Sequence, residues 1–439
     1  MNTKSRMATQ SPQHFMMLLI DGTPGPSFPS WAASAKPASM KGKYCIPLYW
    51  EMCRSYSSDQ WIYVFSLKWW PNNANFLLEI KYHLLRALLS SGDPVSQAHT
   101  FFDQFDGAGL NRSYPNFAFL SEAYDKLGLA NLEGSRLLTG HSHNAGDAAV
   151  TAPRRSYEQT SCLCLGDVFR SLLAASSGKK PTIVLVHQVH DWTGRANAMK
   201  NPHLQHLGDP HQWKVARAAS GNPGLMYKDF YTKGNDWYGA DGVANGRAVE
   251  LFKPGTYPPP SPKVVPRYSN PFSDSVVAAT KDAIKQLAPM YPDDAKKLKL
   301  ILEYGGDDSA LGLDFKKTFE SGLVGFPGTV KTSDGERINI RVLSGLPEVL
   351  WSRDSASVPK VAIPVLPLPV TRVSDTKAEK KARKVKSRAE RPEAVAPWTC
   401  ACGKVYARGV NSRHAETHKL SCVAVAGESL PSVARAHCS

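Results

Sequence analysis

At 439 residues the chain is long enough for two or three domains. Its balance of 42% hydrophobic, 10% aromatic and 21% charged residues excludes wholesale disorder and collagen-like repeats. Fifty-three Lys and Arg against 38 Asp and Glu give +15, and residues 371–439 carry 14 against 6, hence +8 of that excess. So concentrated a basic tail points to a polyanion, nucleic acid foremost, or to nuclear import.

No run of about 18 apolar residues is present, which excludes a spanning helix. The first 22 residues make a poor signal peptide, because the short apolar run Phe15 to Ile20 ends in an acid without a small-residue cleavage site. Eight cysteines in so long a chain are no disulfide framework and fit a reducing compartment.

In chain order, the continuous apolar run Phe15 to Ile20 predicts a buried strand closing at Asp21-Gly22. Tyr44 to Cys53 predicts a second, interrupted by Pro47, and the aromatic, β-branched Gln60 to Lys68 a third. Phe76, Ile80, Leu84, Leu85 and Leu88 recur at helical spacing behind Asn73 or Asn75 as N-cap. His99 to Phe105 predicts a strand ending at Asp106-Gly107, and Phe117, Leu120, Tyr124 and Leu127 a helix closed by Gly128. A short strand over Ser135 to Thr139 follows, then a polar segment and a helix around Leu165, Phe169, Leu172 and Leu173. The order β-β-β-α-β-α-β-α is that of the ribonuclease H-like fold, a mixed α/β sheet in which three antiparallel strands meet two parallel ones.

Asp21 closes the first strand, Asp106 the fourth, and Asp147 stands near the start of the helix after the fifth. In a ribonuclease H-like sheet the first and fourth strands are neighbours, so two carboxylates would stand side by side and repel unless a cation intervened. Mg²⁺ or Mn²⁺, which prefer oxygen ligands, would resolve the conflict, and two such ions could act on a phosphodiester. Against this, Asp-Gly after a strand commonly does no more than make the turn. His141 and His143 alternate in Gly-His-Ser-His; they would add ligands, contact the scissile phosphate, or simply cap the turn. His187, His190, His203, His206 and His211 fit no metal spacing and read as surface or core histidines, and Cys162 and Cys164 as packed thiols.

Three segments carry a family resemblance: Ile20-Asp-Gly-Thr23, Asp103-Gln-Phe-Asp-Gly-Ala-Gly-Leu-Asn-Arg112 and Gly140-His-Ser-His-Asn-Ala-Gly-Asp147. They resemble the IDGMDQ, LQLDNxxxENKN and GHTHEDID motifs of an uncharacterised domain found in transposon-like genes of plants, fungi and animals. Asp191-Trp192 and His211-Gln-Trp213 also resemble later family positions, so the likeness covers roughly residues 14 to 240. It implies a transposase-like core of the three-carboxylate type, with Asp21, Asp106 and Asp147 as the matching acids. The chain departs from the pattern at Thr23-Pro24, at Leu110 to Ser113 in place of ENKN, and at Asn144-Ala-Gly146 in place of Glu-Asp-Ile. Those departures keep the acids but remove polar neighbours that orient a metal site, as in a truncated, inactive or repurposed copy. The first strand begins so early that no DNA-binding domain is expected before it.

Proline-rich stretches at 257–269 and from 359 read as linkers, dividing the chain into a core over 14–256, an accessory α+β region over 270–358, and the tail. The middle region predicts helices at Val276 to Leu287 and Asp293 to Tyr304 and a hairpin over Thr329 to Leu343; it is either a separate domain or an extension of the core. In the linker 359–396, Lys380, Lys381, Arg383, Lys384, Lys386 and Arg388 suit phosphate contacts or nuclear import. Residues 397–424 then resemble a C2H2 zinc finger with Cys400, Cys402, His414 and His418 as ligands for Zn²⁺ and Cys422 able to replace a histidine; the spacings between ligands are shorter than usual. His414 and His418 lie one helical turn apart, and metal is the natural staple for so small a segment; the alternative is a disordered tail that happens to hold cysteines. The expected partners are DNA and a further copy of the chain, in the nucleus and with no membrane. Three readings remain open: a metal-dependent nuclease or transposase, a non-catalytic protein that holds DNA through its tail, and a zinc-finger regulator whose large domain only mediates protein contacts.

Overall fold

The structure is a computed structural model that describes most of residues 3–345 and two short stretches, 398–399 and 405–406. Outside the description lie 31–45, 106–108, 137–144, 177–179, 229–235, 268–273, most of 290–310, 346–397, the rest of the tail, scattered single positions, and the side chains of 145–148. The chain divides into two units, Met1–Pro359 and Lys360–Ser439.

The first unit is α/β, built on a twelve-stranded mixed sheet. Its elements begin with α1 (Thr3–Gln10), β1 (Phe15–Thr23), β2 (Ser27–Phe28), β3 (Ile46–Ser55) and β4 (Gln60–Leu67). Next come α2 (Ala74–Leu89), β5 (Thr100–Phe105), α3 (Tyr114–Lys126), β6 (Asn131–Arg136), α4 (Ala145–Gln159) and α5 (Leu165–Ala174). After them follow β7 (Thr182–Val186), α6 (Trp192–Met199), β8 (Gln212–Arg217), β9 (Pro223–Lys228), α7 (Asp274–Leu287), β10 (Leu313–Phe315), β11 (Phe326–Lys331) and β12 (Arg337–Leu343). In space the strands run β10-β11-β12-β7-β4-β3-β1-β5-β6-β8-β9, with β2 paired to β3.

At the centre, β1 pairs antiparallel with β3 and β3 with β4, while β5 lies parallel to β1 and β6 parallel to β5. The central strands are apolar on both faces because helices cover both. Trp50 and Phe65 are an in-register pair, and Phe65 packs on Phe169 of α5 with ring centroids 5.0 Å apart. Across the sheet, Phe105 stacks on Trp213, which also meets Phe117 of α3. Asn73 caps α2 by accepting from the Asn75 N–H at 3.0 Å, and Gly128, at φ +58°, ends the turn after α3 in a conformation an L side chain resists.

The strands of the 270–358 region, between 313 and 343, extend the core: β12 pairs parallel with β7, and β11 and β10 continue the sheet antiparallel. The hairpin turn is fastened to α5 by Asp167, a buried carboxylate that accepts from Leu163 N, Cys164 N and Ser333 N. Residues 257–267 lie along the core as a strap. Asp191 N donates to Lys263 O, Val265 N to Val189 O, Trp70 Nε1 to Val265 O, and Tyr257 Oη to Asp125. Proline removes donors from such a segment, so its carbonyls and side chains make most of these bonds. The helix expected over Asp293 to Tyr304 falls largely outside the described residues. No helix among the described residues is long and apolar enough to cross a membrane.

In the second unit, Trp398–Thr399 (β13) pairs antiparallel with Val405–Tyr406 (β14). Cys400, Cys402, His414, His418 and Cys422, like Lys380, Lys381, Arg383, Lys384, Lys386 and Arg388, lie outside the described residues.

Candidate active-site edge

The parallel strands β1, β5 and β6 end along one edge of the sheet. Register fixes the ends closely: Ile20 lies opposite Phe105, and Phe105 opposite Arg136. Asp21 follows Ile20 directly and sits opposite Met52 of β3, partly exposed where the residues before it are buried. Asp106 comes straight after Phe105 in the chain and lies outside the described residues, as do His141 and His143. Asp147 falls in the first turn of α4, and its side chain is outside the description. That helix lies on Asp21's side of the sheet. The Tyr63 hydroxyl donates to Ala149 O of α4 at 3.3 Å, and Tyr63 is the in-register neighbour of Met52, which is that of Asp21.

Glu51 is a second carboxylate at this edge, unforeseen from sequence. It stands opposite Gly22, where a Cβ would come within 3.4 Å of its carboxylate oxygen. Side chains alternate along a strand, so Glu51 lies on the face of Ile20 and Cys53 and Asp21 on the other. Burial pushes the Cys53 thiol well above its ordinary range, the Glu51 charge adds to that push, and Lys81 opposes it.

Lys81 is the more telling residue missed from sequence. Its ammonium is fully buried 2.5 Å from Asp103 Oδ2 and donates at 2.9 Å to Asn116 Oδ1. Asn116 Nδ2 in turn donates to Asn111 O at 2.8 Å. Asp103 of β5 stands three residues before Asp106 in the sequence and Asn111 five residues after it, so this network joins the described residues on either side of that position. The available signal was Glu79, Lys81 and His83, polar residues at alternate positions within a largely apolar helix.

Glu79 is likewise fully buried. It accepts from His83 Nε2, from His190 through backbone N and ring Nδ1, and from Trp192 Nε1 at 3.0 Å. Burial works to raise its pKa, but the hydrogen bonds from His190 and His83 prevail and hold it at about 2. His190 is therefore a core histidine, and Asp191 caps α6 by accepting from Gly194 N. Cys162 and Cys164 carry thiols raised to about 12, chiefly by burial, so packing rather than reactivity describes them.

The donors at the edge are carboxylate oxygens, the set a hard divalent cation takes. No group of three or more His, Cys, Asp or Glu able to hold a metal occurs among the described residues, a set that omits two of the three acids in question. Compared with known protein families, curated proteins and solved structures, the chain matches none.

Proposed function

We propose that the first unit is a ribonuclease H-like, transposase-type core that acts on DNA phosphodiesters. The observation that carries this reading is the central strand order β4-β3-β1-β5-β6 with pairings antiparallel, antiparallel, parallel, parallel. Carried one residue beyond Ile20 and Phe105, the β1–β5 register would set Asp21 beside Asp106. The start of α4 on Asp21's side would bring Asp147 to the same place. These three carboxylates would hold Mg²⁺ or Mn²⁺, which when bound would supply an activated water and a stabilised leaving oxygen. Asp21 and Asp106 would neutralise the ion and fix it at the strand ends. His141 and His143 would reach it or the scissile phosphate, and Lys81 and Asn116 would keep the Asp106 segment in place from beneath.

The tail would hold DNA through Lys380, Lys381, Arg383, Lys384, Lys386 and Arg388 and a Zn²⁺ finger on Cys400, Cys402, His414 and His418. In its support, β13 and β14 pair around residues 400–404, as in the opening hairpin of a ββα finger. A peptide of residues 370–425 should bind one Zn²⁺ and gain structure. Cobalt without a thiolate charge-transfer band would exclude the finger.

The test of the core is Mn²⁺ binding by calorimetry to the full chain with its tail zinc-loaded. Asp106→Asn should abolish the site, and unchanged binding in that variant would overturn the placement. A second reading, a non-catalytic protein that binds DNA in a nuclear setting, is favoured by the loss of polar residues at Leu110 to Ser113 and Asn144 to Gly146. Metal binding without cleavage of any duplex would select it.

A further inference from the structure

On the face that carries Asp21, one end of the sheet stays partly open. Register sets Leu19, Gln104, Ser135, Gln212 and Lys228 opposite one another in turn across β1, β5, β6, β8 and β9. Side chains alternate along strands, so this row shares its face with Asp21, two residues beyond Leu19. The row beneath it runs Met17, Phe102, Glu133, Lys214 and Met226. Helix α1 covers the β1 end of both rows, where Ala8 packs with Phe15, Met17, Leu19 and Phe102. Beyond it Ser135, Gln212, Lys214 and Lys228 are partly exposed, whereas Trp213, Val215 and Leu225 on the opposite face are buried.

Three lysines meet on this open part. Lys4 of α1 reaches over to Glu133, 2.5 Å from its carboxylate, with its ammonium 4.9 Å from the centre of the Phe102 ring. Lys214 is the in-register partner of Glu133. Lys228 stands diagonally from Lys214, at about 7–8 Å, a gap that two lysine side chains can close on one phosphate. The Lys228 ammonium rests 4.4 Å over the Trp237 ring. Burial lowers its pKa; the Glu133 charge opposes that shift, and those of Lys4 and Lys214 add to it. Burial works to raise the Glu133 carboxyl, but Lys4 prevails and holds it below its ordinary value. One carboxylate thus stands among three ammoniums, and Lys4 already occupies it. Asp236, the other acid near Lys228, accepts from the Asn245 amide. Neither Lys214 nor Lys228 has a hydrogen bond or ion pair with another described residue.

We propose that Lys214 and Lys228 form a track for the phosphate backbone of duplex DNA, which leads from β9 along the sheet to Asp21. Its direction rests on the reading of the first unit as a core that acts on DNA; its charge does not. From β9 to β1 are four strand spacings, about 19 Å at about 4.8 Å each, which a duplex spans in roughly five or six base pairs. The test is binding of the full chain to one duplex at several salt concentrations. Each lysine–phosphate contact adds about 0.9 to the log–log slope, so Lys214→Ala with Lys228→Ala should flatten it by about two. Affinity should fall about tenfold, the worth of two exposed charge pairs. Lys126→Ala, on α3 against the opposite face, should leave the slope unchanged. In the parent, lysine acetylation read by mass spectrometry should mark Lys214 and Lys228 less once duplex is bound, a measurement that needs no variant. An unchanged slope in the double variant, an equal loss per lysine in Lys126→Ala, or undiminished acetylation of both lysines would overturn the proposal. The double variant should keep the Asp106-dependent Mn²⁺ binding of the parent. A parent without that binding strikes the catalytic reading alone, and slope and acetylation still decide the track.

Discussion

Glu79 shows how a carboxylate can be both fully buried and strongly acidic. Three side chains, from His83, His190 and Trp192, and one backbone N–H converge on it from α2 and from the segment that leads into α6. Folding holds its pKa at about 2 against an ordinary 4.5. The stabilisation, about 3 kcal/mol by linkage, is thus complete above pH 4.5 and fades as pH falls towards 2. Glu79→Gln should be less stable than the parent in urea at pH 6, by about 2–4 kcal/mol, because the donors lose a charged acceptor. That gap should shrink on acidification to pH 3; a gap that is constant with pH would mean the carboxylate charge contributes nothing. Lys81 poses a sharper case, since its partner Asp103 has a second oxygen without a hydrogen-bond partner. Lys81→Met alone should cost about 3–5 kcal/mol by leaving Asp103 uncompensated, whereas Lys81→Met with Asp103→Leu should restore most of it. Denaturation of both variants and the parent completes that cycle. If the double variant is no better than the single, the ammonium does more than balance Asp103.

Among elements, the hairpin of β11 and β12 meets α5 at a very close approach. A Cβ on Gly166 would come 2.3 Å from Lys331 O, too near for any side chain, and Asp167 beside it takes the Ser333 N–H. Gly166→Ala should therefore push the hairpin from the helix and lower amide-exchange protection in β11 and β12 ahead of that in β1 and β5. Uniform loss across the sheet would show that the hairpin is not a separately opening unit. Elements of this kind differ in how far sequence reveals them. β1, β4, β7 and α2 are legible because their apolar content is dense and their period clear. β6 is read only in part: the strand expected over Ser135 to Thr139 meets the described Asn131–Arg136 at Ser135 and Arg136, its residues 137–139 lie outside the description, and the polar start at Asn131 is unread because its ladder comes from the partners β5 and β8. Of α4 only the start near Asp147 is read, and its course is not, because it is rich in Ala and polar residues and contains Pro153; it gains its stability from tertiary contacts such as Tyr63 to Ala149 and Ser156 to Ser171. The Pro-rich strap misleads in the other direction. Its composition announces an extended chain, which is correct, but nothing in a single segment's sequence says that the carbonyls of Lys263 and Val265 meet donors on Asp191 and Trp70. At the candidate edge, Asp21, Asp106 and Asp147 draw the eye in the sequence because each adjoins an apolar strand or a turn, and of them only the Asp21 side chain is among the described residues, whereas Glu51 and Lys81 become relevant only through cross-strand and helix–sheet pairing.

For the whole molecule, the distribution of charge bears on which part of the chain would hold DNA. Residues 371–439 hold +8 of the +15, which leaves +7 spread over 370 residues. Binding to a duplex through phosphates releases condensed counterions, so the logarithm of affinity falls with the logarithm of salt by nearly one unit for each contact. If the tail makes most of those contacts, removing residues 371–439 should weaken binding and flatten that slope together. Suppose instead that the core grips DNA along the Asp21 edge. Truncation then leaves the slope nearly intact, and Asp106→Asn alters Mn²⁺ binding without altering the salt dependence. The decisive measurement is binding of full-length and truncated protein to one duplex at several salt concentrations between about 50 and 200 mM, a range over which six phosphate contacts already change affinity by about a thousandfold. Full-length protein should show the steep line and truncated protein a shallow one with lower affinity at every salt. Two coincident lines would reduce the tail to a solvated appendage or an import signal and assign all DNA contact to the core.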